Sequence, residues 1–214
     1  FEENGLQNFL GIPYARAERF QAPREINWEG VFQADAFGKK AVQSHPAQET
    51  QAGLEGRKEY GEDCLNLNIY VPARAALEAR REGRGLPVAV YIHGGAFQNG
   101  SNRDRSGKQI IRDHSFIYVS INYRLGVLGY LYLGAALGEE YRGTGNNGTL
   151  DQLAALRWIY DNIGEFGGDR SRITVFGESA GAKTLGALLL RPELKTCCSQ
   201  VLMASGAYQC IREE

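Results

Sequence analysis

Ile173-Thr-Val-Phe-Gly-Glu-Ser-Ala-Gly-Ala182 joins four β-branched or aromatic residues to the pattern Gly-x-Ser-x-Gly. The first four suit a short buried strand, and residues 177–181 then predict a sharp turn from strand into helix. Gly177 and Gly181 leave room for strand and helix to lie close together. The strained corner lifts the Ser179 hydroxyl toward a substrate, which makes Ser179 the candidate nucleophile. A glycine-rich turn without chemistry fits the same five residues, so the flanks carry the choice. Residues 183–190 are rich in Leu and Ala, and the small residues Ala180, Gly181 and Ala182 let a first helical turn sit against a sheet.

Working outward, Pro87-Val-Ala-Val-Tyr-Ile92 is a continuous apolar run that suits a central strand buried on both faces, and His93-Gly-Gly-Ala-Phe97 follows it. Acyl transfer builds negative charge on the former carbonyl oxygen. Backbone N–H groups in such a loop can reach that oxygen without side-chain obstruction. A plain Gly-Gly turn is the alternative for this dipeptide alone; an elbow serine on another strand of the same sheet favours the chemical reading.

Ser115-Phe-Ile-Tyr-Val-Ser-Ile121 predicts a further buried strand, and Gln200-Val-Leu-Met-Ala204 one more. Asn66-Leu-Asn-Ile-Tyr-Val71 alternates polar and apolar residues, as a half-buried strand does. Thr149-Leu-Asp-Gln152 matches a capping box and predicts a helix over about 150–163. Residues 8–15 read as a strand stopped by Pro13, residues 41–61 as a long polar surface loop, residues 73–85 as a solvated helical connection and residues 125–138 as buried loop and core. Strand, helix, strand, helix, strand makes an α/β protein with a mostly parallel sheet.

A length of 214 residues is most simply one domain. The net charge of -1 gives no electrostatic case for nucleic acid or an anionic membrane, and no apolar stretch reaches the ~20 residues of a membrane span. The cysteines Cys64, Cys197, Cys198 and Cys210 form no C-x-x-C pair and lie far from His45, His93 and His114, so no metal and no cofactor is expected. Phe1 in place of an initiator Met suggests a cut or processed start.

Phe9-Leu-Gly-Ile-Pro-Tyr-Ala15, Glu62-Asp-Cys-Leu-Asn-Leu-Asn-Ile-Tyr70, His93-Gly-Gly-Ala-Phe97, Asn122-Tyr-Arg-Leu-Gly126, Gly145-Asn-Asn-Gly148, Phe166-Gly-Gly-Asp169 and Phe176-Gly-Glu-Ser-Ala-Gly181 occur in this order. Together they resemble the type-B carboxylesterases, the branch of the α/β-hydrolase fold that includes the cholinesterases. The resemblance implies hydrolysis of a small-molecule carboxylic ester through an acyl-enzyme on Ser179. It implies an oxyanion hole made by the amides of Gly95, Ala96 and Ala180, with Ala96 in place of the more usual glycine. It implies a structural ion pair between Arg19 and Glu62, and structural support from Gly177 and Gly181.

The departures from the family pattern carry expectations of their own. Residues 41–61 hold no Trp, which argues against choline esters, and Trp28 and Trp158 match scaffold positions. Many secreted relatives pair the cysteine at the place of Cys64 with an upstream one. None precedes it here, which favours a cytoplasmic over a secreted source. The fold places nucleophile, acid and histidine in that chain order, yet His45, His93 and His114 all precede Ser179, and the acids after it, Glu193, Glu213 and Glu214, follow no later strand. Residues 1–214 are therefore expected to be the N-terminal portion of a single catalytic domain, with the triad acid and histidine supplied by a C-terminal remainder. A catalytically silent binding or adhesion module on the same fold is the alternative.

Overall fold

The structure, a computed structural model, describes residues 1–26, 28–43, 59–105, 107–111 and 114–206. His45, Cys210, Glu213, Glu214 and most of the expected loop over 41–61 lie outside the described residues. Eleven strands are described: β1 Glu2–Glu3, β2 Leu6–Pro13, β3 Ala15–Arg16, β4 Arg24–Glu25, β5 Lys40–Ala41, β6 Tyr60–Gly61, β7 Asn66–Pro72, β8 Leu86–Ile92, β9 Ile117–Ile121, β10 Gly168–Glu178 and β11 Gln200–Ala204. The helices are α1 Ala73–Arg81, α2 Gly107–Ile110, α3 Gly126–Tyr130, α4 Gly134–Leu137, α5 Asn147–Asn162, α6 Ala180–Leu188 and α7 Pro192–Cys197. None of the described helices is long and apolar enough to cross a membrane.

Seven strands make the main sheet in the order β1-β2-β7-β9-β8-β10-β11. From β9 to β11 neighbouring strands are parallel; β1, β2 and β7 pair antiparallel and extend the sheet on the N-terminal side. Period-two alternation sorts the sheet residues onto two faces. Leu67, Ile69, Val88, Val90, Ile92, Ile117, Val119, Ile121, Ile173 and Val175 pack in one cluster with Leu153, Leu156 and Ile159 of α5 and Leu185 and Leu188 of α6. The intervening Tyr70, Tyr91 and Tyr118, with Phe176, form an aromatic cluster on the other face against Ile110 and Ile111.

Four expectations change in the folded chain. β7 is buried at all seven positions rather than half-buried. Its asparagines meet backbone on both sides: Asn68 accepts a bond from the Gly11 amide, at the register shift of β2, at 2.9 Å, and Asn66 Nδ2 donates to the Lys39 carbonyl at 2.8 Å. The helix α5 begins at Asn147, so Thr149 lies inside it and the capping box does not form. Packing moves the start upstream, since Asn147, Gly148, Asp151 and Gln152 are all buried. Residues 125–138 fold into α3 and α4 with Val127, Leu131, Tyr132 and Leu137 exposed, because no described element covers them. β11 is an edge strand and leaves Leu202 55% exposed instead of buried.

Candidate active site

The chain runs from β8 outward to β9, then returns to the other flank of β8 as β10. At such a switch point the loops leaving adjacent parallel strands diverge and open a crevice beyond the strand ends. Ile92 pairs with Gly177, so the loop starting at His93 and the turn at Ser179 emerge side by side. Topology alone thus brings together two segments about eighty residues apart in sequence.

Ser179 has φ 53° and ψ −114°, a conformation that costs a non-glycine residue about 1–3 kcal/mol. Its amide donates to the Ala204 carbonyl at 2.9 Å, and its carbonyl accepts from Lys183 at 3.0 Å to start α6. Both elbow glycines are required by close approach. A Cβ on Gly177 would lie 2.5 Å from the Gly181 carbonyl carbon, and one on Gly181 would lie 2.2 Å from the Ile92 carbonyl oxygen. Any side chain at either place would push α6 off the sheet. The Ser179 hydroxyl makes no cap bond to its helix.

The loop after β8 carries three successive residues at positive φ: Gly95 at 105°, Ala96 at 53° and Phe97 at 63°. Gln98 and Asn99 close it by donating to the Gly95 carbonyl at 2.9 and 3.0 Å. Gly94 presses on the elbow, since a Cβ there would lie 3.2 Å from Ser179 Cβ and 2.6 Å from a Glu178 carboxylate oxygen. Among the described residues, the amides of Gly95, Ala96 and Ala180 donate to no protein acceptor. Sequence reasoning singled out these three amides and missed Gly94, for which a Gly-Gly dipeptide was the available signal.

No described histidine bonds to Ser179. His93 is 1% exposed, stacks on Tyr123 at 4.4 Å between ring centroids, and places Nδ1 2.8 Å from the Gly94 carbonyl. Its Nε2 has no partner among the described residues. His114 stacks on Phe116 ahead of β9. Burial holds the His93 imidazole below its ordinary value of 6.5, opposed by the Gly94 carbonyl and by Asp104. Unfolding in acid therefore takes up a proton that the native state excludes. The His93 contribution is fully present above 6.5 and shrinks as pH falls through 6.5 toward the depressed native value. Urea midpoints measured across that window should fall with pH, and His93→Phe, which keeps a ring against Tyr123, should flatten the slope; an unchanged slope would remove His93 as its source.

Residues 122–124 brace this loop from below. The Tyr123 hydroxyl donates to the His93 carbonyl at 2.7 Å, and Asn122 Oδ1 accepts from the Asn102 amide at 2.7 Å. Arg124 forms a buried two-pronged pair with Asp151, Nε to Oδ2 at 2.8 Å and Nη2 to Oδ1 at 2.7 Å. Burial raises the Asp151 carboxyl while the Arg124 bonds oppose that rise. Nothing in the spacing of Arg124 and Asp151 marks them as partners. Arg19 and Glu62 do meet, Arg19 Nε lying 3.1 and 3.0 Å from the two carboxylate oxygens, on a solvent-facing turn. A cavity of about 890 Å³, lined by Phe9, Tyr14, Trp28, Trp158 and Phe166 among others, includes none of the elbow or loop residues. An apolar cavity of this kind is itself a candidate site; strained backbone and converging amides favour the elbow.

A family model described as the carboxylesterase family matches residues 1–211. The chain is 38% identical to a para-nitrobenzyl esterase of Bacillus subtilis over 99% of its own length and 42% of that protein. It is 37% identical to a human cocaine esterase over 94% of its length and 36% of that protein. A solved carboxylesterase of Geobacillus stearothermophilus superposes with a TM-score of 0.83 at 40% identity, covering 98% of this chain and 41% of that one. The chain thus spans about two fifths of the length of the relatives it matches. With the sheet, the elbow and the loop after β8 all contained in the matched span, the chain belongs to the carboxylesterase family.

Proposed function

We propose that this chain carries the nucleophile and oxyanion hole of a serine carboxylic-ester hydrolase, the triad acid and histidine coming from outside the described residues. The observation that carries the reading is the elbow at φ 53° with the loop of Gly94 pressed against it. Ser179 Oγ attacks the ester carbonyl carbon as its proton passes to the base. The carbonyl oxygen, now an anion, receives the amides of Gly95, Ala96 and Ala180. The C–O bond to the alcohol then breaks, the alcohol leaves with the proton, and water hydrolyses the acyl-serine by the reverse proton path. Relatives named for para-nitrobenzyl and cocaine esters support a carboxylic ester as the substrate class. A silent binding module has no use for a strained serine beside amides that donate to none of the described residues. The exposed edge of β11 is where we place the remainder of the domain.

The test is a fluorophosphonate probe on the full-length protein, followed by peptide mapping. Adduct on Ser179 is expected; adduct elsewhere, or none on well-folded protein, overturns the reading. The same reading sets an expectation for Ala96, which at φ 53° bears left-handed strain of about 1 kcal/mol or more. Ala96→Gly keeps the amide and relieves the strain. Its urea midpoint should rise with kcat unchanged, and a fall in kcat would mean that the methyl itself takes part.

A further inference from the structure

Gln43, two residues past β5, belongs to a stretch that carries no catalytic signal in sequence, yet its side chain grips the far end of the loop after β8. Its Oε1 accepts the Gly100 amide at 2.9 Å and its Nε2 donates to the Gly100 carbonyl at 3.0 Å. The same Nε2 lies 3.1 Å from the Ala41 carbonyl, which ties the side chain back to its own arm. A planar amide that satisfies both backbone groups of one residue holds that residue, between its two flanking peptides, against translation and rotation.

Gly100 is the residue through which the grip reaches the oxyanion loop. It has φ 111°, and a Cβ on it would lie 2.4 Å from His93 Nδ1 and 2.6 Å from the Gly94 carbonyl oxygen. The end of the loop is therefore packed directly onto its beginning, and the five residues between include Gly95 and Ala96. A Cβ on Gly95 would fall 2.0 Å from the Asn99 carbonyl oxygen, so the loop has no slack within it either. The arm that bears Gln43 is itself anchored, because the Lys39 carbonyl accepts bonds from Asn66 Nδ2 at 2.8 Å and Asn122 Nδ2 at 3.0 Å. Hydrogen bonds from buried Asn66 of β7 and Asn122 just past β9 thus fix one end of the arm, and Gln43 four residues on fixes the loop.

We propose that Gln43 is a positioning residue that holds the oxyanion donors Gly95 and Ala96 in place through Gly100. The proposal rests on the reading of those amides given above. Donors of this kind stabilise a developing anion only if they are fixed before the charge appears, and a shift on the order of 1 Å costs up to about 10²-fold in rate. Gln43 touches no reacting atom, so its effect belongs in kcat and not in substrate capture.

The experiment compares Gln43→Leu, Gln43→Glu and wild type in the full-length protein, with Ser179→Ala as control. The readouts are kcat, KM, thermal midpoint and affinity for a trifluoromethyl ketone, whose serine adduct places an oxyanion on the same amides. Gln43→Leu should lower kcat by about 10–10²-fold with KM little changed, and should weaken the ketone in parallel. Gln43→Glu keeps the acceptor for the Gly100 amide and loses the donor, so it should fall between; it also serves if the leucine variant does not fold. Folded variants with wild-type kcat and ketone affinity overturn the proposal, whatever happens to the thermal midpoint. Ester turnover that survives in Ser179→Ala instead sinks the underlying reading, and does so independently of Gln43.

Discussion

Ser179→Ala in the full-length protein is expected to lower kcat for a p-nitrophenyl ester by about 10⁶-fold and to leave folding intact. The magnitude is that of removing the nucleophile from a triad whose members act as a unit. On the proposed reading binding and the oxyanion hole would remain, so a slow residual rate should persist above the uncatalysed reaction. Folding survives because the hydroxyl makes no cap bond to α6, whose start is held by the Ser179 amide and carbonyl instead. Circular dichroism and the urea midpoint should match wild type while the ester assay collapses. A kcat within about tenfold of wild type would remove Ser179 from the chemistry.

Arg124→Met destabilises the protein by about 3–5 kcal/mol, the cost of leaving a buried charge without its partner. Asp151 is fully buried, and both its oxygens are taken by Arg124, one of them also by the Arg124 amide at 3.1 Å. The guanidinium additionally donates to the Gln21 carbonyl at 2.7 Å. One side chain therefore links the exit of β9, the first turns of α5 and the N-terminal connection. The double variant Arg124→Met with Asp151→Leu should recover most of the loss, since replacing both members of a buried pair by apolar groups is often neutral. Equilibrium urea unfolding measures both. A single-variant loss below about 1 kcal/mol would mean the pair behaves like a surface contact. Arg19 and Glu62 present the opposite case, because theirs is a surface contact, with side chains 64% and 37% exposed, in spite of its place in a family motif.

Legibility in the sequence followed the range of the interaction. Strand β10, the turn at Ser179 and helix α6 were readable because the residues that cause them are adjacent: β-branched residues, two glycines, then Ala and Leu. The elbow glycines were readable for the same reason, though not what they touch. β7 misled because alternation reports polarity and not burial, and its asparagines meet backbone of β2 at residue 11 and of loops at residues 39 and 102. The capping box at Thr149 misled because local hydrogen bonding competes with packing, and buried Asn147 and Gly148 moved the helix start upstream.

The amino-acid sequence by itself determined the α/β class, the strand-turn-helix at Ser179, the glycine loop after β8 and the motif order that resembles the carboxylesterases. Each element and motif depends on residues within a few positions of one another, where propensity, glycine freedom and apolar periodicity act directly, and the class and the resemblance follow from their order along the chain. Tertiary structure alone decided that the loop at Gly94 leans on the elbow, that Arg124 pairs with Asp151, that His93 faces its own loop and not the serine, and that Gln43 holds Gly100. The first, second and fourth of these contacts join residues from about twenty-five to more than eighty positions apart, and the His93 ring, though bonded to the adjacent Gly94 carbonyl, stacks on Tyr123 from the exit of β9. Strand order and register set them, and no local pattern encodes which distant strand a given loop will emerge beside.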